Sequence, residues 1–280
     1  MPTGILEKTL TVFGDIKVFR WPLFLLYDPG SYRVKGEAMR EVMRVARPGD
    51  VLVRGYLSYL DGYFIPGYFS HVGLYLGEVA REHRPRCEDP VEEARVEAGF
   101  RTGEQMVIHS MAEGIFMEDL LNFCRCDYLA IMRFPALLSR APAAAPLREA
   151  GRLSEPERAL SGRLERGETV PFEEAWSCIR EVALRQLGQP YDFRFNFNDF
   201  AQLSCSEFVY YCYRSLGWAV DVSPLEKRVF GLRRVVLEPD AFVSAPQLRL
   251  VWQSPSADPA RVQALRAAAS PAGEVALAGA

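Results

Sequence analysis

Apolar and polar positions follow two different periods along the chain, and the period separates predicted strands from predicted helices. Residues 51–53, 72–76, 106–109 and 128–134 are short apolar segments rich in β-branched or aromatic side chains. Such segments, when turn residues bound them, are typical of strands. Their spacing predicts an antiparallel sheet of at least four strands.

Three other segments carry apolar residues at helical spacing. They are residues 37–45, 172–187 and 205–216, and each is followed within a few positions by Gly or Pro. Gly and Pro are typical of helix ends. Helices mixed with an antiparallel sheet predict an α+β fold.

The segments between and after these elements suggest how the chain is organised. The segment of about residues 80–103 is highly charged, and that of about residues 136–170 is rich in Ala, Arg, Pro and Glu. Both segments are predicted to be surface insertions. Residues 254–280 have few large apolar side chains, which predicts a disordered C-terminal tail. The remaining residues, 1–253, are predicted to form a single domain.

Composition narrows the classes of function. The chain has 280 residues, 49% of them hydrophobic and 25% charged, which is ordinary globular composition. The net charge of -3 and the scattered basic residues give no basis for a nucleic-acid partner. No transmembrane segment and no signal peptide are evident, so a cytoplasmic location is expected. The apolar residues 21–27 leave peripheral membrane contact open, and the oligomeric state is unknown.

Cys205 carries the first chemical signal, because it begins a predicted helix. Ser204 and Glu207 fit the capping box S-x-x-E, which places Cys205 at the first helical position. There the helix dipole favours a thiolate and so predicts a lowered pKa. Free amides at the same helix end can receive an oxyanion. The alternative is a buried structural cysteine, which is what we expect of Cys212.

Two histidines, His71 and His109, lie in predicted strands. A cysteine nucleophile needs an imidazole as its base, and that imidazole needs a polar partner to orient it. Adjacent antiparallel strands can hold both residues. Two alternatives stay open, namely hydrogen-bonded residues at a sheet edge and a zinc site formed by His71, His109 and Cys205. No metal-binding spacing supports the zinc site, and His83 is predicted to lie on the surface.

Four motifs resemble those of the NlpC/P60 cysteine hydrolases. Residues 70–77 (SHVGLYLG) resemble the family strand S/G-H-V-G-I-Y-L-G, and residues 108–115 resemble the next strand, which ends in I-H-A. Residues 188–191 (GQPY) and 205–209 (CSEFV) resemble the nucleophile segment. Residues 49–52 (GDVL) resemble the family's G-D-L strand.

The order of the motifs differs from that of ordinary members, in which the cysteine comes first. The order His71, His109, Cys205 resembles the circularly permuted YiiX/YebB-like branch, whose C-S-E motif matches Glu207. This resemblance implies a permuted papain-like fold in which the antiparallel sheet packs against the nucleophile-bearing helix. It implies Cys205 as nucleophile, His71 as base and His109 as the residue that orients the base, with no cofactor or metal. Tyr191 resembles a tyrosine that lines the site.

The predicted function is a cysteine hydrolase that acts by acyl transfer on an amide bond of a small-molecule or peptide substrate. Tyr191, Tyr56, Ser70 and Ser204 are the predicted substrate-binding residues. Residues 55–69 are dense in Tyr and Phe, and they form either a flexible lip over the cleft or part of the core. Two alternative functions are an acyl-lipid hydrolase or acyltransferase with the same Cys-His pair, and a non-catalytic binding module on the same fold.

Overall fold

The computed structural model of the chain describes residues 16–20, 23–27, 32–57, 67–141, 152–194, 197, 200–222, 224–229 and 232–268. The strands of these residues are β1 Ile16–Arg20, β2 Leu23–Tyr27, β3 Val51–Gly55, β4 His71–Val79, β5 Gly103–Met111, β6 Gly114–Asp119, β7 Tyr128–Arg133, β8 Leu137–Leu138, β9 Val170–Pro171, β10 Leu225–Val229, β11 Leu232–Val236 and β12 Arg249–Gln253. The helices are α1 Glu37–Val45, α2 Pro90–Gly99, α3 Leu120–Phe123, α4 Glu155–Glu165, α5 Phe172–Arg185, α6 Cys205–Cys212, α7 Asp240–Ser244 and α8 Pro259–Ala268.

Six strands form one antiparallel sheet in the order β12-β7-β3-β4-β5-β6. In its register, Arg54 of β3 lies opposite His71 of β4, and Gly73 of β4 lies opposite His109 of β5. Side chains two residues apart on a strand share a face, and so do residues directly opposite each other. The register therefore places His71 and His109 on the same face as diagonal neighbours.

Apolar layers cover both faces of the sheet. On one face, Leu74 and Ile108 of the sheet belong to the same buried cluster as Phe208 of α6. On the other face, Leu52 and Ile131 belong to a smaller cluster. Because both faces are covered, β3 is buried along its whole length. This explains why its first three residues, 51–53, are all apolar and do not alternate with polar ones.

The predicted α+β class and antiparallel sheet are confirmed, and several element bounds differ by a few residues. Helix α1 has the predicted bounds, whereas α5 ends two residues earlier than predicted. Helix α6 ends at Cys212, and a short 3-10 turn, Arg214–Leu216, continues the predicted segment. The hydrophobic pattern does not predict β6 and β12, whose central apolar residues are flanked by charged or polar ones.

The segment 136–170 differs from the predicted surface insertion. Leu160 and Leu164 of α4 are buried in the main core. Glu157 of the same helix is also buried and pairs with Arg214. Arg214 Nη2 donates to Glu157 Oε2 at 2.8 Å, and Arg214 Nε lies 2.8 Å from Oε1. The surrounding Arg and Glu residues mask this apolar face in the sequence. Residues 142–151 of the segment lie outside the described residues, as do residues 58–66 of the aromatic segment.

The segments 80–103 and 254–280 each contain a helix. The first lies between β4 and β5 and contains α2, whose N-cap Asp89 accepts a hydrogen bond from Val91 N at 2.8 Å. The second begins with turns and α8, in which Val262 is buried, so the predicted disorder is wrong for residues 254–268. Most of the apolar residues of α8 are alanines, so the hydrophobic pattern did not predict this helix. Residues 269–280 lie outside the described residues.

The apolar segment 21–27 is described only in part. Residues 23–27 form β2, which pairs with β1, and residues 21 and 22 lie outside the described residues. Within the described ranges, no helix is long and apolar enough to cross a membrane.

Candidate active site

Cys205 occupies the first position of α6, as the capping pattern predicts. Ser204 Oγ accepts a hydrogen bond from Glu207 N at 3.4 Å, and Ser204 N donates to Glu207 Oε2 at 2.8 Å. These two contacts form the predicted capping box. The backbone amide and the hydroxyl of Ser204 are therefore both engaged in the cap. A contact of Ser204 with substrate stays a prediction.

The Cys205 thiol is buried, with 4% of the residue exposed, beside the start of β4. It accepts a hydrogen bond from the amide of Val72, the residue that follows His71. Helix α6 lies against β4 and β5.

Burial raises the pKa of the Cys205 thiol above its usual value. The hydrogen bonds from Val72 and Ser206 oppose this shift without outweighing it. The predicted lowered pKa is therefore wrong, because desolvation exceeds the effect of the helix N-terminus. At neutral pH this thiol is protonated, and it requires a base in order to react.

The two strand histidines contact each other directly. His71 Nε2 lies 2.8 Å from His109 Nδ1, and the rings meet edge to face with centroids 5.0 Å apart. Both residues are buried, His109 completely. Because Nε2 of His71 faces His109, Nδ1 is the only ring nitrogen of His71 left to accept a proton from elsewhere.

Glu118 of β6 is a second partner of His109. Its Oε1 lies 2.9 Å from His109 Nε2. Burial acts to raise the pKa of the Glu118 carboxyl, but the contact with His109 and the charge of Arg54 hold this pKa below its usual value. Glu118 is therefore a carboxylate at neutral pH. The sequence patterns did not select this residue.

Arg54 of β3 lies directly opposite His71 of β4 in the sheet and is 3% exposed. Its Nη1 donates to Phe123 O at 2.7 Å and lies 3.7 Å from Glu118 Oε1. Its guanidinium carbon lies 4.2 Å from the centroid of the Phe123 ring. Burial, together with the charge of Arg54, lowers the pKa of His109 and holds that of His71 well below its usual value. Both imidazoles are therefore neutral at neutral pH.

The segment before α6 is tied to the edge of the sheet. Gln189 O accepts a hydrogen bond from Ile115 N at 2.9 Å, and Gly188 N donates to Ile115 O at 2.7 Å. Leu203 O accepts a hydrogen bond from Ser110 Oγ at 2.6 Å. Residues 188–189 and Leu203 are thus held by the two strands that also carry His109 and Glu118.

The segment before His71 is held by Asp240, the first residue of α7. Its Oδ2 accepts from Tyr68 N at 2.7 Å and its Oδ1 accepts from Phe69 N at 2.8 Å. A Cβ at Gly67 would lie 2.9 Å from Asp240 Oδ2, and Gly67 has φ of +137°. This approach therefore requires glycine. Asp240 fixes the backbone that leads into β4.

We expect Asp240→Ala to lower the free energy of unfolding by about 2–3 kcal/mol, because two backbone amides lose their charged acceptor. We also expect it to lower any activity that depends on His71. Urea denaturation and steady-state kinetics measure the two effects. The matched control is Asp89→Ala, which removes an N-cap from α2 and costs about 1 kcal/mol without changing activity. Equal activity losses in both variants would contradict the role of Asp240.

The predicted substrate-binding residues occupy different surroundings. Ser70 is buried next to His71, and its hydroxyl has no hydrogen-bond partner within the described part of the chain. Tyr56 is half-buried, with the guanidinium carbon of Arg54 5.6 Å from its ring centroid. Tyr191 is half-buried beside Phe193. Their contacts with substrate stay predictions.

The described aromatic residues of the 55–69 segment favour the core interpretation. Phe69 is completely buried, and Tyr68 stacks on Tyr128 with ring centroids 4.5 Å apart. The lip interpretation concerns residues 58–66, which lie outside the described residues.

The geometry of the histidine pair bears on the zinc alternative. Among the described residues, no group of three or more His, Cys, Asp or Glu side chains is placed to hold a metal ion. His71 Nε2 and His109 Nδ1 face each other at hydrogen-bond distance and do not converge on a shared point. This geometry favours a hydrogen-bonded pair over two zinc ligands.

A known enzyme family matches part of the chain. It is described as permuted papain-like amidase enzyme, YaeF/YiiX, C92 family, and it matches residues 161–252, about a third of the chain. This span includes α5 and the helix that begins at Cys205. The match supports the prediction of an enzyme, a cysteine hydrolase of the amidase kind, and the predicted permuted papain-like relationship. The NlpC/P60 name stays a resemblance.

One solved structure is similar to the chain, that of the metalloprotein yiiX from Escherichia coli O157:H7. The identity is 17%, the similarity covers 75% of this chain and 98% of that chain, and the TM-score is 0.42. A likeness at this level supports no conclusion about chemistry. No curated protein sequence matches the chain.

Proposed function

We propose that the protein is a cysteine amidase or peptidase in which Cys205 is the nucleophile, His71 its base and His109 the residue that orients the base. The observation that carries this proposal is the contact of His71 Nε2 with His109 Nδ1 at 2.8 Å. This contact leaves Nδ1 of a neutral His71 available as a base. The amide of Val72, the next residue, donates to the Cys205 thiol, so the thiol lies beside the backbone next to His71. The described contacts do not join the His71 ring to the thiol, and proton transfer requires Nδ1 and Sγ to approach each other. The match of residues 161–252 to an amidase family supports the reaction type.

The first half of the reaction forms a thioester. His71 Nδ1 accepts the thiol proton while Cys205 Sγ attacks the carbonyl carbon of the amide. The carbonyl oxygen becomes an oxyanion, which is received by free amides at the N-terminus of α6, including that of Cys205. The C–N bond then breaks, and His71 gives its proton to the departing nitrogen as the amine leaves.

The second half of the reaction regenerates the thiol. Neutral His71 takes a proton from water while the water oxygen attacks the thioester carbon. The C–S bond breaks, the proton returns from His71 to Cys205 Sγ, and a carboxylic acid leaves. His109 accepts from His71 Nε2 throughout, so the ring keeps its orientation during both transfers.

The substrate is proposed to be a small-molecule or peptide amide. A panel of fluorogenic aminoacyl and peptidyl amides, acyl esters and phospholipid vesicles tests this proposal, with Cys205→Ala as the blank. We expect Cys205-dependent release of amine from at least one amide. Cys205-dependent turnover of acyl lipids alone would support the acyl-lipid alternative. Binding without turnover of any of these compounds would support the non-catalytic alternative.

A further inference from the structure

Two charged residues outside the proposed triad contact it in series. Arg54 Nη1 lies 3.7 Å from Glu118 Oε1, and the same oxygen lies 2.9 Å from His109 Nε2. His109 Nδ1 then meets His71 Nε2 at 2.8 Å. These four side chains come from the four adjacent strands β3, β4, β5 and β6. The arrangement is a line of polar groups that ends at His71; its three other members are buried, and Glu118 is half-buried.

We propose that Glu118 and Arg54 are positioning residues whose charges act on His109 in opposite directions. Glu118 fixes the tautomers of both imidazoles, and Arg54 prevents His109 from becoming an imidazolium. This inference rests on the proposed function, because it concerns the same cysteine–histidine pair. Neither residue touches substrate in this account. Both act through His109.

The tautomers follow from the contact with Glu118. Glu118 Oε1 lies 2.9 Å from His109 Nε2 without a well-aligned hydrogen bond, and its negative charge favours the tautomer of neutral His109 with the proton on Nε2. His109 Nδ1 is then an acceptor, and it requires a proton on Nε2 of His71. The proton of neutral His71 is thereby placed on Nε2, and its Nδ1 keeps a free lone pair. Glu118 of β6 thus determines which nitrogen of His71 is the base, and it does so through its contact with His109.

The role of Arg54 follows from what a carboxylate does to an imidazole. Glu118 on its own favours protonation of His109 at both nitrogens. A doubly protonated His109 has no acceptor for His71, so the proton of His71 would move to Nδ1 and the base would be lost. The buried guanidinium opposes this outcome, because its charge disfavours a second cation nearby and partly neutralises Glu118. Burial of both histidines acts in the same direction.

Other titratable groups also surround the pair. They act on its two charged neighbours and not on the imidazoles: Tyr56, Cys124 and Cys126 act on Arg54, and Arg125 acts on Glu118. Cys124 and Cys126 have pKa values that burial raises, so both are neutral thiols at neutral pH. Arg54 and Glu118 are therefore the charged groups closest to the two imidazoles among the described contacts.

The test is the pH dependence of kcat/KM in wild type, Arg54→Met, Arg54→Lys and Glu118→Gln. In wild type, the acidic limb of the kcat/KM profile should lie below pH 6.5, the ordinary pKa of an imidazole. The lowered pKa of His71 keeps its ring neutral down to a lower pH. Arg54→Met should move this limb up by about one pH unit, because a positive charge is removed from the pair. Arg54→Lys should restore it towards wild type. Glu118→Gln should not move the limb upward, because the negative charge that favours a protonated His109 is gone.

A buried ion pair away from the site provides the control. Arg214→Met breaks the contact with Glu157 and should lower stability without moving the acidic limb. Superimposable pH profiles in wild type, Arg54→Met and Glu118→Gln would overturn the inference. If Cys205→Ala is inactive in the same experiment, the proposed function stands while the inference fails. An active Cys205→Ala would instead remove the proposed function itself.

A measurement on wild type avoids the risk that a variant fails to fold. Nitrogen-15 NMR of the histidine rings distinguishes the two neutral tautomers from the imidazolium. At pH 7 we expect His71 and His109 both neutral, each with its proton on Nε2. An imidazolium at His109, or a proton on Nδ1 of His71, would overturn the inference without reference to activity.

Discussion

Cys205→Ala is expected to abolish amide hydrolysis, lowering kcat/KM by at least about 10⁴-fold, as removal of a catalytic nucleophile does in other hydrolases. Alanine has no group that can form the thioester, and no other cysteine begins a helix beside β4. Cys205→Ser should be nearly as inactive, because the hydroxyl is a poorer nucleophile than a thiol with the same base. Steady-state kinetics on the amide found in the substrate panel measures both losses.

The matched control for this substitution is Cys178→Ala, which removes a half-buried thiol from α5. It should retain wild-type activity. Thermal unfolding of all three variants checks that the inactive proteins are folded. Full activity in a folded Cys205→Ala would contradict the proposed mechanism, and a comparable loss in Cys178→Ala would show that the assay reports on stability.

His71→Ala is expected to lower kcat/KM by about 10³-fold or more, since the protonated thiol loses its base. The same substitution should change how Cys205 reacts with iodoacetamide. In wild type, neutral His71 can take the thiol proton, so the rate should be nearly constant from pH 6.5 to 8. In His71→Ala, the rate should be low at pH 7 and rise with pH, because burial raises the pKa of the thiol above its usual value.

His83→Ala serves as the control for the histidine substitution. His83 lies in the short 3-10 turn after β4, where its Nδ1 accepts from Ala80 N at 3.1 Å. Its removal should leave both turnover and the alkylation profile unchanged. Identical alkylation profiles in wild type and His71→Ala would show that His71 does not act on the thiol.

The parts of the site that local sequence determines could be predicted. The capping box needs only Ser204 and Glu207, three residues apart, and so it located Cys205 at the first position of α6. Strand patterns placed His71 and His109 on strands, and the family resemblance paired them. The structure adds the register that brings these two side chains to 2.8 Å.

The parts that depend on distant contacts could not be predicted. Arg54 is the fourth of the five residues of β3, and Glu118 lies near the end of a strand that the pattern did not predict, so the sequence does not show that the two side chains meet. Asp240 contacts a backbone 171 and 172 residues away in the chain. A charged residue in an otherwise apolar strand, as Arg54 is in VLVRG, is the one local signal that could have drawn attention to this network.

The sequence predicted a lowered pKa for the Cys205 thiol, whereas its pKa in the structure is raised. The sequence shows the helix N-terminus, whose partial charge favours a thiolate. It does not show how deeply α6 packs on the sheet, and burial is the larger effect. The expected resting state is therefore a neutral thiol with a neutral imidazole, and this makes the base essential.

Mass spectrometry tests directly whether Cys205 is the nucleophile, after the protein has reacted with an activated acyl ester whose thioester hydrolyses slowly. We expect one acyl group per chain, located on Cys205 and released by hydroxylamine. His71→Ala should form this adduct far more slowly, and Cys205→Ala should not form it. An acyl group on another residue, or turnover with Cys205 unmodified under conditions that trap the intermediate, would contradict the assignment of Cys205 as the nucleophile.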